Sequence, residues 1–244
     1  MVEHPVAAVY RGPISSEGCP ESLAKLLRHA PAGFKVHYLG PDEDEDVTAE
    51  SLSKVDLFAW PGGGDEVKRD YKKVARYTKA IQDFIRDGGL YAGICLGAFL
   101  AKGEPSEGAF FNLLPSGSYV NCERFEKGSQ VKSDKDSVIQ TDWHFHSGPK
   151  KGTREKRWQY FQDGANIVLG ADLKSEAMIL GRYSKTGDPC AVVYRLGSGA
   201  VGLIGVHPEA EKDWYEDWDG HNPDGIQFDI GHDFVQTLWN LRSR

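Results

Sequence analysis

A chain of 244 residues with a formal charge of −7 lacks the clustered positive charge that neutralises a phosphate backbone, so nucleic acid is excluded as an expected partner. With 40% hydrophobic and 27% charged residues it can bury a core, which excludes a disordered chain, and its length suits one domain over residues 1–244. No apolar run reaches membrane length, the stretch Val6–Tyr10 is too short for the core of a signal peptide, and the cysteines (Cys19, Cys95, Cys122, Cys190) show no CxxC spacing, so membrane, zinc and disulfide classes fall away and a reducing cytoplasm is the expected setting.

Short β-branched apolar runs alternate with helical patterns through the first half, the signature of βαβ units and a parallel sheet. Val6–Tyr10 reads as a first strand. Leu23, Leu26 and Leu27 mark a helix over 21–29, and residues 34–39 a second strand. An acidic loop at 42–46 connects to a buried strand over 55–60, which stops at Pro61-Gly62-Gly63-Gly64-Asp65. Val74, Tyr77, Ile81, Phe84 and Ile85 predict one face of a long helix ended by Gly88-Gly89, and a strand at Leu90–Ile94 precedes a short helix over 96–102. Beyond Gly103 the pattern predicts strands over 118–122, 137–141, 165–169, 177–183, 190–196 and 200–206, antiparallel or at the sheet edge, before a closing helix over 228–241. The basic run Lys150, Lys151, Arg154, Lys156 and Arg157, beside glycine and proline, reads as a solvated loop. The fold expected is a flavodoxin-like three-layer α/β sandwich with a mostly parallel central sheet and an antiparallel extension.

The sharpest local pattern is Gly93-Ile94-Cys95-Leu96-Gly97, a G-x-C-x-G where a strand turns directly into a helix. Such an elbow lifts the side chain above the sheet, flanking glycines clear space for it, and the partial positive charge at the helix start favours a thiolate. Pro61 to Asp65 follows a neighbouring strand and therefore emerges at the same carboxyl edge, where amides of this glycine loop, with that of Leu96, can hold an oxyanion. His207 and Glu209 lie two apart at the end of another strand, so both leave one face, as a base and its orienting acid require.

The ordered set PGGGD, GICLGAF and HPE resembles the class I glutamine amidotransferase-like superfamily and, within it, the N-terminal domain of fungal biotin-protein ligases, whose opening Gly-Pro loop is matched by Gly12-Pro13. The resemblance implies Cys95 as nucleophile, His207 as base, Glu209 as orienting acid, Gly62, Gly63 and Leu96 as oxyanion donors, and no cofactor. Gly97-Ala98-Phe99 stands where the glutaminases carry a glutamine, so glutamine specificity is not implied. A stand-alone version of the domain is expected, without the ligase's catalytic part.

His144 and His146 share a face if extended, but two histidines without a third ligand make a wall of a pocket or surface rather than a metal site, and no metal is expected. Trp214 follows the HPE turn and serves either as a substrate wall or as packing on the sheet edge. Arg11, Ser15 and Ser16 occupy the first loop at the carboxyl edge, where, with Asp65, polar groups orient a ligand. Two functions follow: an enzyme that hydrolyses or transfers a small-molecule amide or acyl group through a thioester, with or without a protein partner, or a catalytically silent binding or regulatory module.

Overall fold

The computed structural model describes residues 4–64 and 66–242. Strand β1 (Val6–Tyr10) leads to helix α1 (Cys19–His29), β2 (Lys35–Leu39), the short α2 (Ala49–Leu52) and β3 (Leu57–Trp60). Two helices, α3 (Val67–Val74) and α4 (Thr78–Arg86), return the chain to β4 (Leu90–Ile94), from which α5 (Leu96–Phe99) starts at once. There follow β5 (Tyr119–Cys122), β6 (Ser137–His144), β7 (Arg154–Phe161), β8 (Ala165–Val168), α6 (Ala171–Glu176) and β9 (Met178–Tyr183). The hairpin β10 (Pro189–Leu196) and β11 (Gly199–Ile204) precedes α7 (Lys212–Glu216) and the closing α8 (Asp229–Asn240).

Nine strands form one sheet in the order β2-β1-β3-β4-β11-β10-β9-β6-β7, and β5 pairs with β8 in a separate ladder. The five strands from β2 to β11 are parallel, and the remaining four run antiparallel to their neighbours, which is the expected extension. Side chains alternate across the parallel part because successive Cβ atoms leave opposite faces. Ala7, Val9, Leu57, Ala59, Leu90 and Ala92 pack with α1 and α8 through Leu23, Leu27, Phe234 and Leu238. Ala8, Tyr10, Phe58, Trp60 and Tyr91 pack on the other face with α4 through Ile81 and Ile85. The architecture is thus a three-layer α/β sandwich.

Two expectations are corrected. The helix marked by Val74 to Ile85 is two helices separated by a 3₁₀ turn, Ala75–Tyr77; the buried face of Val74, Tyr77, Ile81 and Ile85 continues through the break, so the apolar spacing conceals it. The basic run is not a solvated loop throughout, because from Arg154 it forms β7, paired with β6. Arg157 is 6% exposed, and its guanidinium bonds Asp229 at 2.9 Å, Glu155 at 3.0 Å and Gln227 at 2.6 Å, which permits a charge to be buried there. Among the described residues no helix is long and apolar enough to cross a membrane.

Beneath the β5–β8 ladder, Glu123 is fully buried, with Oε1 accepting a hydrogen bond from Thr186 at 2.9 Å and Oε2 unpartnered. Burial, reinforced by Asp188 and Glu126 against the Thr186 bond, pushes its carboxyl up to about 7 from an ordinary 4.5. The stability tied to this group is whole below about pH 4.5 and is lost as pH rises through 7. Glu123→Gln is therefore expected to match the wild type in urea unfolding at low pH and to exceed it by on the order of 2 kcal/mol at alkaline pH; an equal gap at both would contradict this reading.

Candidate active site

Three adjacent parallel strands deliver the site. Trp60 of β3 is level with Gly93 of β4, and Ile94 with Ile204 of β11, so the segments that follow each strand leave the same edge side by side. These are the glycine loop from Pro61, the turn at Cys95 and the approach to His207. The segment after β1 joins them, since the amide of Ser16 donates to the carbonyl of Gly62 at 3.3 Å.

Cys95 occupies φ 48°, ψ −105°, a conformation that costs a non-glycine residue about 1–3 kcal/mol and persists only where the surroundings hold it. Its amide donates to Ile204 at 2.9 Å, while its carbonyl accepts from Ala98 at 2.9 Å and Phe99 at 3.1 Å. The flanking glycines are required by contact: a Cβ on Gly93 would lie 2.4 Å from the Gly97 carbonyl oxygen, and one on Gly97 would lie 2.3 Å from that of Trp60. Helix α5 can fold back tightly over β3 and β4 only with hydrogen at both positions.

His207 is 4% exposed, and its Nδ1 donates to Glu209 Oε1 at 2.8 Å, leaving Nε2 for the other side of the ring. Cys95 and this imidazole line the same cleft. Burial opposes the charged ring, but Glu209 and the Cys95 sulfur outweigh it and push His207 up to about 10. The backbone is anchored as well, because the His207 amide donates to the Tyr160 carbonyl at 3.0 Å. Around the ring stand Tyr160, edge-on with centroids 5.8 Å apart, and Trp214 at 5.2 Å. Trp214 packs on the imidazole and is not among the residues lining the cleft.

Tyr160 thus touches His207 through both its carbonyl and its ring. Tyr160→Ala is expected to lower the rate of Cys95 alkylation about tenfold without moving the pH at which it changes, while Tyr160→Phe stays near wild type. Equal losses in both would assign the effect to the hydroxyl, which donates to Asp136 at 2.6 Å.

A cleft of about 440 Å³ opens over Cys95 and His207. Ser16, Gly63, Gly64 and Leu96 form one wall; Cys122, Arg124, Asp134, Gln162 and Asp163 form the other. Gly63 and Leu96 line the cleft, whereas Gly62 lies against the imidazole, where an added Cβ would be 2.5 Å from Cε1. Asp65 lies outside the described residues. Arg11 and Ser15 line a separate depression: Arg11 is held by Glu43 at 2.6 and 2.9 Å and Glu21 at 3.0 Å, and Ser15 closes its own turn on Gly12 at 2.8 Å. His144 ends β6 and packs on His146, ring centroids 4.4 Å apart, away from the cleft walls. Among the described residues no cluster of three or more His, Cys, Asp or Glu is arranged for a metal ion.

The opposite wall leaves no signal in the sequence. Arg124 forks onto Asp163 at 2.5 and 2.8 Å, and the Cys122 thiol donates to the same carboxylate at 3.1 Å. Asp163 holds φ 49°, and the carbonyl of its neighbour Gln162 accepts from the Cys95 thiol at 3.8 Å. These residues come from the β5 and β7–β8 turns, which carry no motif; the Asp163-Gly164 pair marks a turn and nothing more.

No family model and no curated protein sequence matches the chain. Solved structures do match it. It is similar to PurLQS from Thermotoga maritima, at TM-score 0.60 and 19% identity over 98% of this chain and 99% of that one. A putative GMP synthase subunit from Thermoplasma acidophilum gives 0.57 and 15%, covering 98% and 96%. A glutamine amido transferase from Methylobacillus flagellatus gives 0.53 and 14%, covering 96% and 86%. The fold is that of glutamine amidotransferase-like proteins. At these identities the likeness is one of fold, and the finer resemblance to biotin-protein ligase domains rests on the sequence motifs alone.

Proposed function

We propose that the chain is a cysteine-dependent enzyme that hydrolyses or transfers an amide or acyl group of a small molecule through a thioester on Cys95. The observation that carries this is that Cys95 and His207, the latter bonded to Glu209 at 2.8 Å, face one open cleft. The Cys95 thiolate attacks the carbonyl carbon, and amides at Gly63 and Leu96 receive the oxyanion. His207, charged through the neutral pH range, passes its Nε2 proton to the leaving amine and then takes one from the water or amine that releases the acyl group. Glu209 keeps the ring in the required tautomer.

The Arg124–Asp163 pair gives the far wall one charge of each sign, suited to a polar substrate. A protein partner is part of the proposal, since one structural relative is named as part of a synthase. The test is a screen of amides and thioesters, glutamine included, with the acyl group trapped on Cys95 and located by mass spectrometry. A Cys95 adduct, absent in Cys95→Ser, supports the enzyme.

A second reading, the silent binding module implied by the resemblance to biotin-protein ligase domains, is favoured by the 8% exposure of Cys95 and its thiol bond to Gln162. Ligand binding without any adduct would select it.

A further inference from the structure

The nine-stranded sheet has two edges, and they differ. At β7 the outward amide and carbonyl of Trp158 are taken by Asp224 and Asn222. At β2 the ladder with β1 is bracketed by two bonds: the amide of Lys35 donates to Pro5 at 2.8 Å, and the carbonyl of Leu39 accepts from Arg11 at 2.9 Å. Residues 35, 37 and 39 therefore spend their backbone groups on β1, and the N–H and C=O of Val36 and Tyr38 point outward. Among the described residues, Arg28 bonds the Val36 carbonyl at 3.3 Å, and the other outward groups have no partner. The edge lacks the usual protections, since β2 has no proline and its register runs without a bulge from Lys35 to Leu39. Its one lysine stands at the end, not the middle, and the two ends carry opposite charge. Lys35 is exposed and outside every ion pair of the described residues. So are Asp42 and Asp44 in the loop after Leu39, whereas Glu43 and Glu45 are held by Arg11 and Lys54.

We propose that β2 is where two copies of this chain join, edge to edge and antiparallel, about a two-fold axis at His37. That register sets Val36 opposite Tyr38 of the partner subunit, so each such pair exchanges two N–H···O=C bonds, the Val36 carbonyl using its second lone pair. It also brings Lys35 of each copy to the acidic loop of the other. A parallel pairing would set lysine beside lysine and loop beside loop. An anionic or a cationic peptide would match one end of β2 only, whereas the chain's own strand, reversed, matches both.

Sedimentation velocity of the full chain, between about 1 and 300 μM at low salt, is the test. A monomer–dimer equilibrium is expected, half complete on the order of 10 μM and weakened by added salt. Lys35→Glu alone, and Asp42→Lys with Asp44→Lys, should each weaken it about tenfold or more, and all three together should recover most of the loss. Tyr38→Pro removes an outward amide and no bond to β1, so it should be monomeric throughout. Should it unfold the chain, the charge variants decide, since all lie on exposed side chains. His37→Cys places two thiols across the axis in a close, non-hydrogen-bonded pair and should give a disulfide-linked dimer on mild oxidation where the wild type gives none. A monomer at every concentration, association indifferent to the charge reversals, no recovery in the combined variant, or no cross-link at position 37 would overturn the proposal.

Discussion

Replacing His207 with alanine is expected to slow alkylation of Cys95 by iodoacetamide by about 10²-fold near neutral pH, because the thiolate loses the cation that balances it. The pH profile is the sharper readout. With His207 pushed up to about 10, the ring stays charged across the neutral range. The native and variant rates are expected to differ most near neutral pH and to converge as pH rises through about 10, where the ring loses its charge. Mass spectrometry assigns the adduct. Burial pushes up the thiols of Cys19 and Cys190, and burial with the Asp163 bond pushes Cys122 up to about 12, so they contribute little background. The raised His207 also carries a stability term, whole below its ordinary 6.5 and lost as pH rises through about 10. The unfolding midpoint of the wild type should fall on that alkaline side, and that of His207→Ala should not. Identical kinetics in the two proteins would remove the base from the mechanism.

Asp233→Ala is expected to destabilise the chain by about 4 kcal/mol, read as a lower urea midpoint. The carboxylate is 3% exposed and accepts from Trp143 Nε1 at 2.9 Å, from the amides of His146 at 3.0 Å and Ser147 at 2.6 Å, and from the Ser147 hydroxyl at 2.7 Å. It ties α8 to the end of β6. Alanine leaves Trp143 Nε1 and the two amides without this acceptor, a larger penalty than the loss of the bonds themselves, while the Ser147 hydroxyl keeps the backbone carbonyl of residue 233 at 3.4 Å. Asparagine keeps one acceptor oxygen and should lose about half as much. A shift no larger than that of an exposed substitution would mean that water replaces the carboxylate.

The contrast between Cys95 and Arg124 shows what was legible in the sequence. Gly93, Cys95, Gly97 and the His207-Pro208-Glu209 turn sit within a few residues of strand ends, where local backbone demands leave a mark on residue choice; the parallel order then brings them together. Arg124 and Asp163 meet across thirty-nine residues through the β5–β8 ladder, and the turn that favours Asp163 says nothing of its partner. Strand β7 was hidden for a related cause. Arg157 reads as a surface charge until Asp229, seventy-two residues later, supplies its partner. The break at Ala75–Tyr77 leaves the apolar spacing intact and so leaves no trace in it.

Strand β7 ends the sheet, and an open row of backbone groups there would be a template for another chain. It is covered: the amide of Trp158 donates to Asp224 at 2.7 Å, its carbonyl accepts from Asn222 at 3.2 Å, and the carbonyl of Tyr160 is taken by His207. The segment that seats the base thus also shields the rim of the sheet. A proteolytic cut between Gly220 and Gly225 would undo both at once, so inactivation and self-association into strand-paired aggregates should appear together, at the same dose of protease.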